Sequence, residues 1–117
     1  MDNQKAILAV QALDSKKGLD IEVLKVKDLT VLTEYFVLVT GTSNTHIRSL
    51  AEEVEFRLEQ ASIRPDRIEG RATGWILLDY GDVIVHVFSA EQRAQYCLEK
   101  LWADADREDL TGLVTEN

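Results

Sequence analysis

Ionisable side chains interrupt the most apolar segment of the chain, residues 75–88, WILLDYGDVIVHVF. Asp79, Tyr80, Asp82 and His86 stand there among Trp, Leu, Ile, Val and Phe. Such groups cost several kcal/mol in apolar surroundings unless they are paired or face a working surface. Two chemistries compete for them. A histidine there could hold a metal. Acids in a turn beside large aromatics could instead grip a protein, the aromatics as anchors and the carboxylates meeting Arg or Lys. Turn formation by itself also accounts for Asp79 and Asp82 around Gly81. Hydrogen bonding in the core accounts equally for His86, which lies between Val85 and Val87 on a face shared with Ile84 and Phe88.

The catalytic readings lack parts. Gly41-Thr42-Ser43 sits between an apolar run and a helical pattern, where small residues and free N–H groups could cradle a phosphate. Gly41 making the turn and Ser43 or Thr42 capping the helix explain the same residues. Phosphoryl transfer needs a close pair of acids for Mg²⁺. After the turn the next acids, Glu52, Glu53 and Glu55, fall on the helix; Asp20 and Glu22 are expected on one strand face but precede the turn, and Arg48 is the one nearby base. Zinc would have His46 and His86, forty residues apart, with no ligand spacing of a known site. A Ser-His-Asp arrangement would lack both an elbow motif and an oxyanion loop. The single Cys97 excludes an internal disulfide, and on a helix face it reads as a small hydrophobe. No catalytic residue, metal ligand or cofactor is therefore expected. Nucleotide binding at residues 41–43, in a nucleotidyltransferase-like enzyme, is the alternative.

The elements that position these residues follow from periodicity. Ala6, Ile7, Val10 and Leu13 predict a helix over residues 3–16, with Asp2 or Asn3 as cap and Gly18 beyond its end. DIEVLKV (20–26) alternates like a strand, and YFVLVT (35–40) is a continuous run typical of a strand covered on both faces. Ile47, Leu50, Ala51, Val54, Leu58 and Ala61 make the stripe of a second helix, 44–61. After Pro65 a short strand is expected at 68–71, then a hairpin of 75–78 and 83–88. Ser89-Ala90-Glu91-Gln92 is a capping box opening a last helix to about Trp102. The order predicts a single-domain α/β sandwich with a mixed sheet and flanking helices. Residues 1–103 form the domain in this reading. Residues 104–117, acidic and without a period, form a frayed tail.

At 117 residues, 45% apolar and 29% charged, the chain has the composition of one globular domain. No apolar run approaches the roughly 18 residues of a membrane span. The start has no long apolar region or cleavage site, so a mature cytoplasmic protein is expected. A net charge of −8 argues against direct DNA or RNA binding, which Lys and Arg drive by displacing counterions. Half of that charge lies in residues 89–117, with seven acids against three bases. A basic protein partner suits it better, though acidic surfaces also simply keep proteins soluble.

Four linked segments carry a family resemblance: an opening helix followed by DIEVLKVKDL, then LTEYFVLVTGTSNTHIRSLAEEVE, EGRATGWILLDYGDVIVHVF and QRAQYCLEKLWADA. In this order and spacing the chain resembles the Iojap-like family, the ribosomal silencing factors, over roughly residues 6–110. The resemblance implies binding without catalysis. Family members occupy a basic protein, protein fourteen, on the intersubunit face of the large ribosomal subunit and obstruct joining of the small subunit. It also implies a fold similar to a nucleotidyltransferase core without its catalytic acids, a homodimer when free, and a role in ribosome assembly among organelle relatives. The expected contact surface joins the 75–82 hairpin to the last helix. Its candidate residues are Trp75, Asp79, Tyr80, Asp82, Tyr96, Leu98, Glu99 and Trp102.

Overall fold

The structure, a computed structural model, describes residues 1–70 and 74–115. Helix α1 (Gln4–Ser15) opens under an Asn3 cap, whose side chain accepts from the Ala6 N–H. Strands β1 (Leu19–Lys25) and β2 (Tyr35–Gly41) follow, then helix α2 (Asn44–Gln60), capped by Ser43. Next come β3 (Arg67–Glu69), β4 (Trp75–Asp79), β5 (Val83–Ser89), the short helices α3 (Ala90–Tyr96) and α4 (Leu98–Leu101), and β6 (Asp106–Arg107).

Among the described residues the strands form one six-stranded mixed sheet in the order β3-β4-β5-β2-β1-β6. Only β2 and β5 run parallel, in the centre; the other neighbours are antiparallel. That central place explains the unbroken apolar run of β2, which is buried throughout except at the half-buried Phe36. Alternation sends Val23, Val37, Val39, Ile76, Leu78, Val85 and Val87 to one face, where α1 and α2 seal the larger core with Val10, Leu13, Leu50, Val54 and Leu58. The opposite face carries Leu24, Leu38 and Phe88 under partial cover from Leu98 and Trp102. Gly41 serves the first packing: a Cβ there would meet Ile47 Cγ1 at 2.7 Å, so the strand could not pass so close to α2.

Three expectations change. The last helix does not run on to Trp102; Cys97 adopts a left-handed conformation (φ 45°) and divides it into α3 and α4. No Gly or Pro marks that break, so periodicity could not show it. The segment after Asp104 is not frayed over its described part: Leu24 pairs with Arg107, the Glu108 N–H donates to Val23 O, and Leu110, Leu113 and Val114 pack on the larger core. Its hold reaches Asp14, which accepts from the Thr115 N–H and hydroxyl. Third, Asp20 and Glu22 are not regular neighbours on one strand face, because the register shifts between Leu19 and Glu22 and Asp20 has φ 50°. Arg71, expected to end the strand after Pro65, and the final residues Glu116 and Asn117 lie outside the described residues.

Candidate functional site

Register lays out the second face of the sheet as rows. One runs Arg67, Asp79, Ile84, Phe36, Leu24, and the next Glu69, Leu77, His86, Leu38, Glu22. A third runs Trp75, Phe88, Thr40. The centre of this grid is apolar and aromatic, and its borders are charged. Trp75, Leu77, Ile84 and Phe36 are half-buried, whereas their counterparts under α1 and α2 are wholly enclosed. This face leaves large apolar side chains partly open to solvent.

Helices α3 and α4 frame one end of it. Tyr96, 49% exposed, stacks tilted on Trp75 with centroids 4.6 Å apart. Trp102 meets Phe36 edge to face at 5.3 Å, and Leu98 packs against the same cluster. The left-handed turn at Cys97 lets one short segment place Tyr96 over Trp75 and Trp102 over Phe36. Trp75, Tyr96, Leu98 and Trp102 are thus brought together as expected of neighbours, with Phe36, His86 and Phe88, which the sequence reading had not included as contacts.

The acids behave differently. Asp79 accepts from the Gly81 N–H at 2.9 Å and from Arg67 Nε at 3.2 Å. Asp82 takes a hydrogen bond from Lys5 Nζ at 2.7 Å and one from Asn3 at 2.8 Å. Burial opposes its ionisation, but those bonds and the Lys5 charge outweigh it, so the carboxyl lies below its usual value. Glu99 meets Arg93 at 3.0 Å. These carboxylates are engaged within the fold. Tyr80 corrects its expectation outright: it is 3% exposed and belongs to the core beneath α1 and α2, on the other side of the sheet. Burial and the nearby Glu55 push its phenol well above the ordinary range.

His86 is 5% exposed and ringed by Phe36, Trp75 and Phe88, with centroids 5.2 to 5.7 Å away. The Trp75 indole N–H donates to its Nδ1 at 3.1 Å. An indole can only donate, so Nδ1 carries the lone pair and Nε2 the proton. Nε2 finds no hydrogen-bond partner among the described residues. Burial pushes this imidazole down to about 4. The unfolded chain takes up that proton below about 6.5, the folded chain only near 4, so the unfolded state binds more protons between these values. His86 therefore leaves stability intact above the upper value and lowers it by roughly 3 kcal/mol as pH falls through the interval. Urea unfolding across that range should show the loss in the native chain and a flatter profile in His86→Asn. Parallel profiles would assign the acid sensitivity elsewhere.

Sequence reasoning missed Arg93. It is 8% exposed, donates to Asp20 O at 2.7 Å and Thr40 Oγ1 at 3.0 Å, and pairs with Glu99 at 3.0 Å and Glu22 at 3.4 Å. No sequence signal announces it, since β1, β2 and α4 supply its partners. It also missed the β1–β2 loop, where Leu29, Val31 and Leu32 are exposed.

The 41–43 turn is occupied by its own structure. Ser43 Oγ accepts the His46 N–H at 3.0 Å, and the Thr42 N–H donates to His46 Nδ1 at 2.9 Å. That fixes the proton on His46 Nε2, which donates to Lys16 O at 2.8 Å. Among the described residues no three His, Cys, Asp or Glu side chains gather as a metal site.

Comparison with known proteins agrees along the whole length. The family model described as "Ribosomal silencing factor during starvation" matches residues 2–117. A ribosomal silencing factor from Halalkalibacterium halodurans is 37% identical over 98% of this chain and 100% of its own. A crystallised protein from Chromobacterium violaceum superposes with a TM-score of 0.83 at 37% identity, over 88% of each chain. A mouse protein named "Mitochondrial assembly of ribosomal large subunit protein 1" is 32% identical over 81% of this chain and 43% of its own.

Proposed function

The chain belongs to the ribosomal silencing factor family, which implies a role in repressing translation, and from that premise we propose that it binds the large ribosomal subunit and blocks joining of the small one. The observation that carries this is the half-open face of Trp75, Leu77, Ile84 and Phe36, framed by Tyr96 and Trp102. Large aromatics supply most of the affinity at such surfaces, because each joins an apolar body to a polar tip. The partner is a basic ribosomal protein on the intersubunit face, protein fourteen by family resemblance, which suits an acidic chain. No bond is made or broken; occupancy of the joining surface is the mechanism.

The free protein is proposed to be a cytoplasmic homodimer, and no helix among the described residues is long and apolar enough to cross a membrane. Gel filtration over a concentration series reads the dimer directly. The name of the mouse relative supports a second use of the same docking, in assembly of the large subunit.

Co-sedimentation with purified large and small subunits, followed by addition of the missing subunit, tests the main reading. Selective binding to the large subunit with fewer joined ribosomes is expected. Binding to neither subunit would overturn it and return attention to the turn at Gly41.

A further inference from the structure

Trp75 and His86 are not direct cross-strand partners: Trp75 faces Phe88 and Leu77 faces His86. Their hydrogen bond is therefore a diagonal tie between β4 and β5. It fixes the indole at its polar edge, while Phe88 at 4.9 Å and Tyr96 at 4.6 Å hold the ring body. We infer that His86 is a positioning residue, whose Nδ1 sets the Trp75 indole in its docking orientation before the partner arrives. This rests on the docking role proposed for the face.

The chemistry favours a neutral imidazole here. An indole N–H needs an acceptor, and a protonated ring would present N–H against N–H. Burial among three aromatic rings keeps the ring neutral, in line with its lowered pKa. A side chain ordered beforehand loses less freedom on binding, so the tie acts on affinity without itself touching the partner. His86 Nδ1 meets Trp75 in the free protein, and the ring is too enclosed to serve as the contact.

His86→Leu removes the acceptor and keeps an apolar filling. His86→Asn returns a side-chain carbonyl near the Nδ1 position. Titration of purified large subunits should show His86→Leu weakened about fivefold, with His86→Asn close to the native chain. The indole N–H of Trp75, assigned in the NMR spectrum with the help of Trp102→Phe, should exchange faster in His86→Leu and not in His86→Asn. Native affinity in His86→Leu would overturn the inference. Equal weakening in both variants would do so too, because it would show a packing role that the carbonyl cannot restore.

Should His86→Leu fail to fold, His86→Gln, which carries its amide beyond the Nδ1 position, takes its place in the same comparison. If the native chain itself does not bind large subunits, the docking role fails. The exchange measurement then still decides positioning: unchanged indole exchange on loss of the acceptor overturns it.

Discussion

Trp75→Ala should weaken binding to large ribosomal subunits by about 2 kcal/mol or more, roughly thirtyfold in dissociation constant, as for a central aromatic anchor. The side chain sits at the corner where β4, Tyr96 and Phe88 meet, half-buried and held on three sides. Truncation removes both its contact with the partner and the platform beneath Tyr96. Phe56→Ala is the control, since Phe56 is exposed on α2, across the sheet from this face. Its affinity should stay native. Because Trp75 also packs within the chain, Tyr96→Ala completes the test: that ring is half exposed and removes less from the fold. Loss of affinity in both aromatic variants, with Phe56→Ala unchanged, places the interface on this face. Equal small effects in all three would place it elsewhere.

Arg93→Ala should produce the largest loss of stability, about 3 kcal/mol, or roughly 10 °C in melting temperature for a chain of this size. The guanidinium holds two carboxylates, a carbonyl and a hydroxyl from three elements, and its removal leaves Glu99 and Glu22 short of a cation. The value is at the lower end for a buried ion pair. Both acids keep some contact with water, their side chains 20% and 29% exposed, and Glu22 retains Arg107 at 3.0 Å. Arg93→Lys should recover only part of it, because one ammonium cannot span acceptors laid out for a planar fork. A change below about 1 kcal/mol on thermal or urea unfolding would mean that the cluster does little for the fold. The same variant should loosen α3 and α4, and with them Tyr96 and Trp102.

Local pattern explains which parts of this architecture could be read from residues. The stripe from Ile47 to Leu58 made α2 visible, and Ser43 marked its start. The apolar run of β2 announced a central strand, and Gly81 between two aspartates announced the β4–β5 turn. The contacts that escaped all join residues distant in sequence. Arg93 answers to Glu22, Glu108 to Val23, and Thr115 to Asp14. Nothing local in the sequence announces those pairings. Tyr80 shows the converse error: its place after Asp79 in a polar turn reads as exposed, yet the turn rolls it under α1 and α2. Of the face proposed for docking, Trp75, Tyr96 and Trp102 were picked out by residue type, whereas Phe36 and Phe88 were not. Their joint arrangement depended on the break at Cys97, which carries no signal in the sequence.

The bulge at Asp20 and the two-residue strand β6 bear on how this sheet meets other molecules. A free sheet edge invites another chain to add a strand, and here each edge is blunted differently. Beyond β1, the bulge bends the first half of the strand, while Asp106 and Arg107 occupy Leu24 and Lys25. At the far side β3 offers three residues, two of them charged. Lengthening the sheet is therefore obstructed at both ends. The docking proposed above uses the broad surface instead, where side-chain shape would select the partner and not a backbone ladder that any extended peptide could complete.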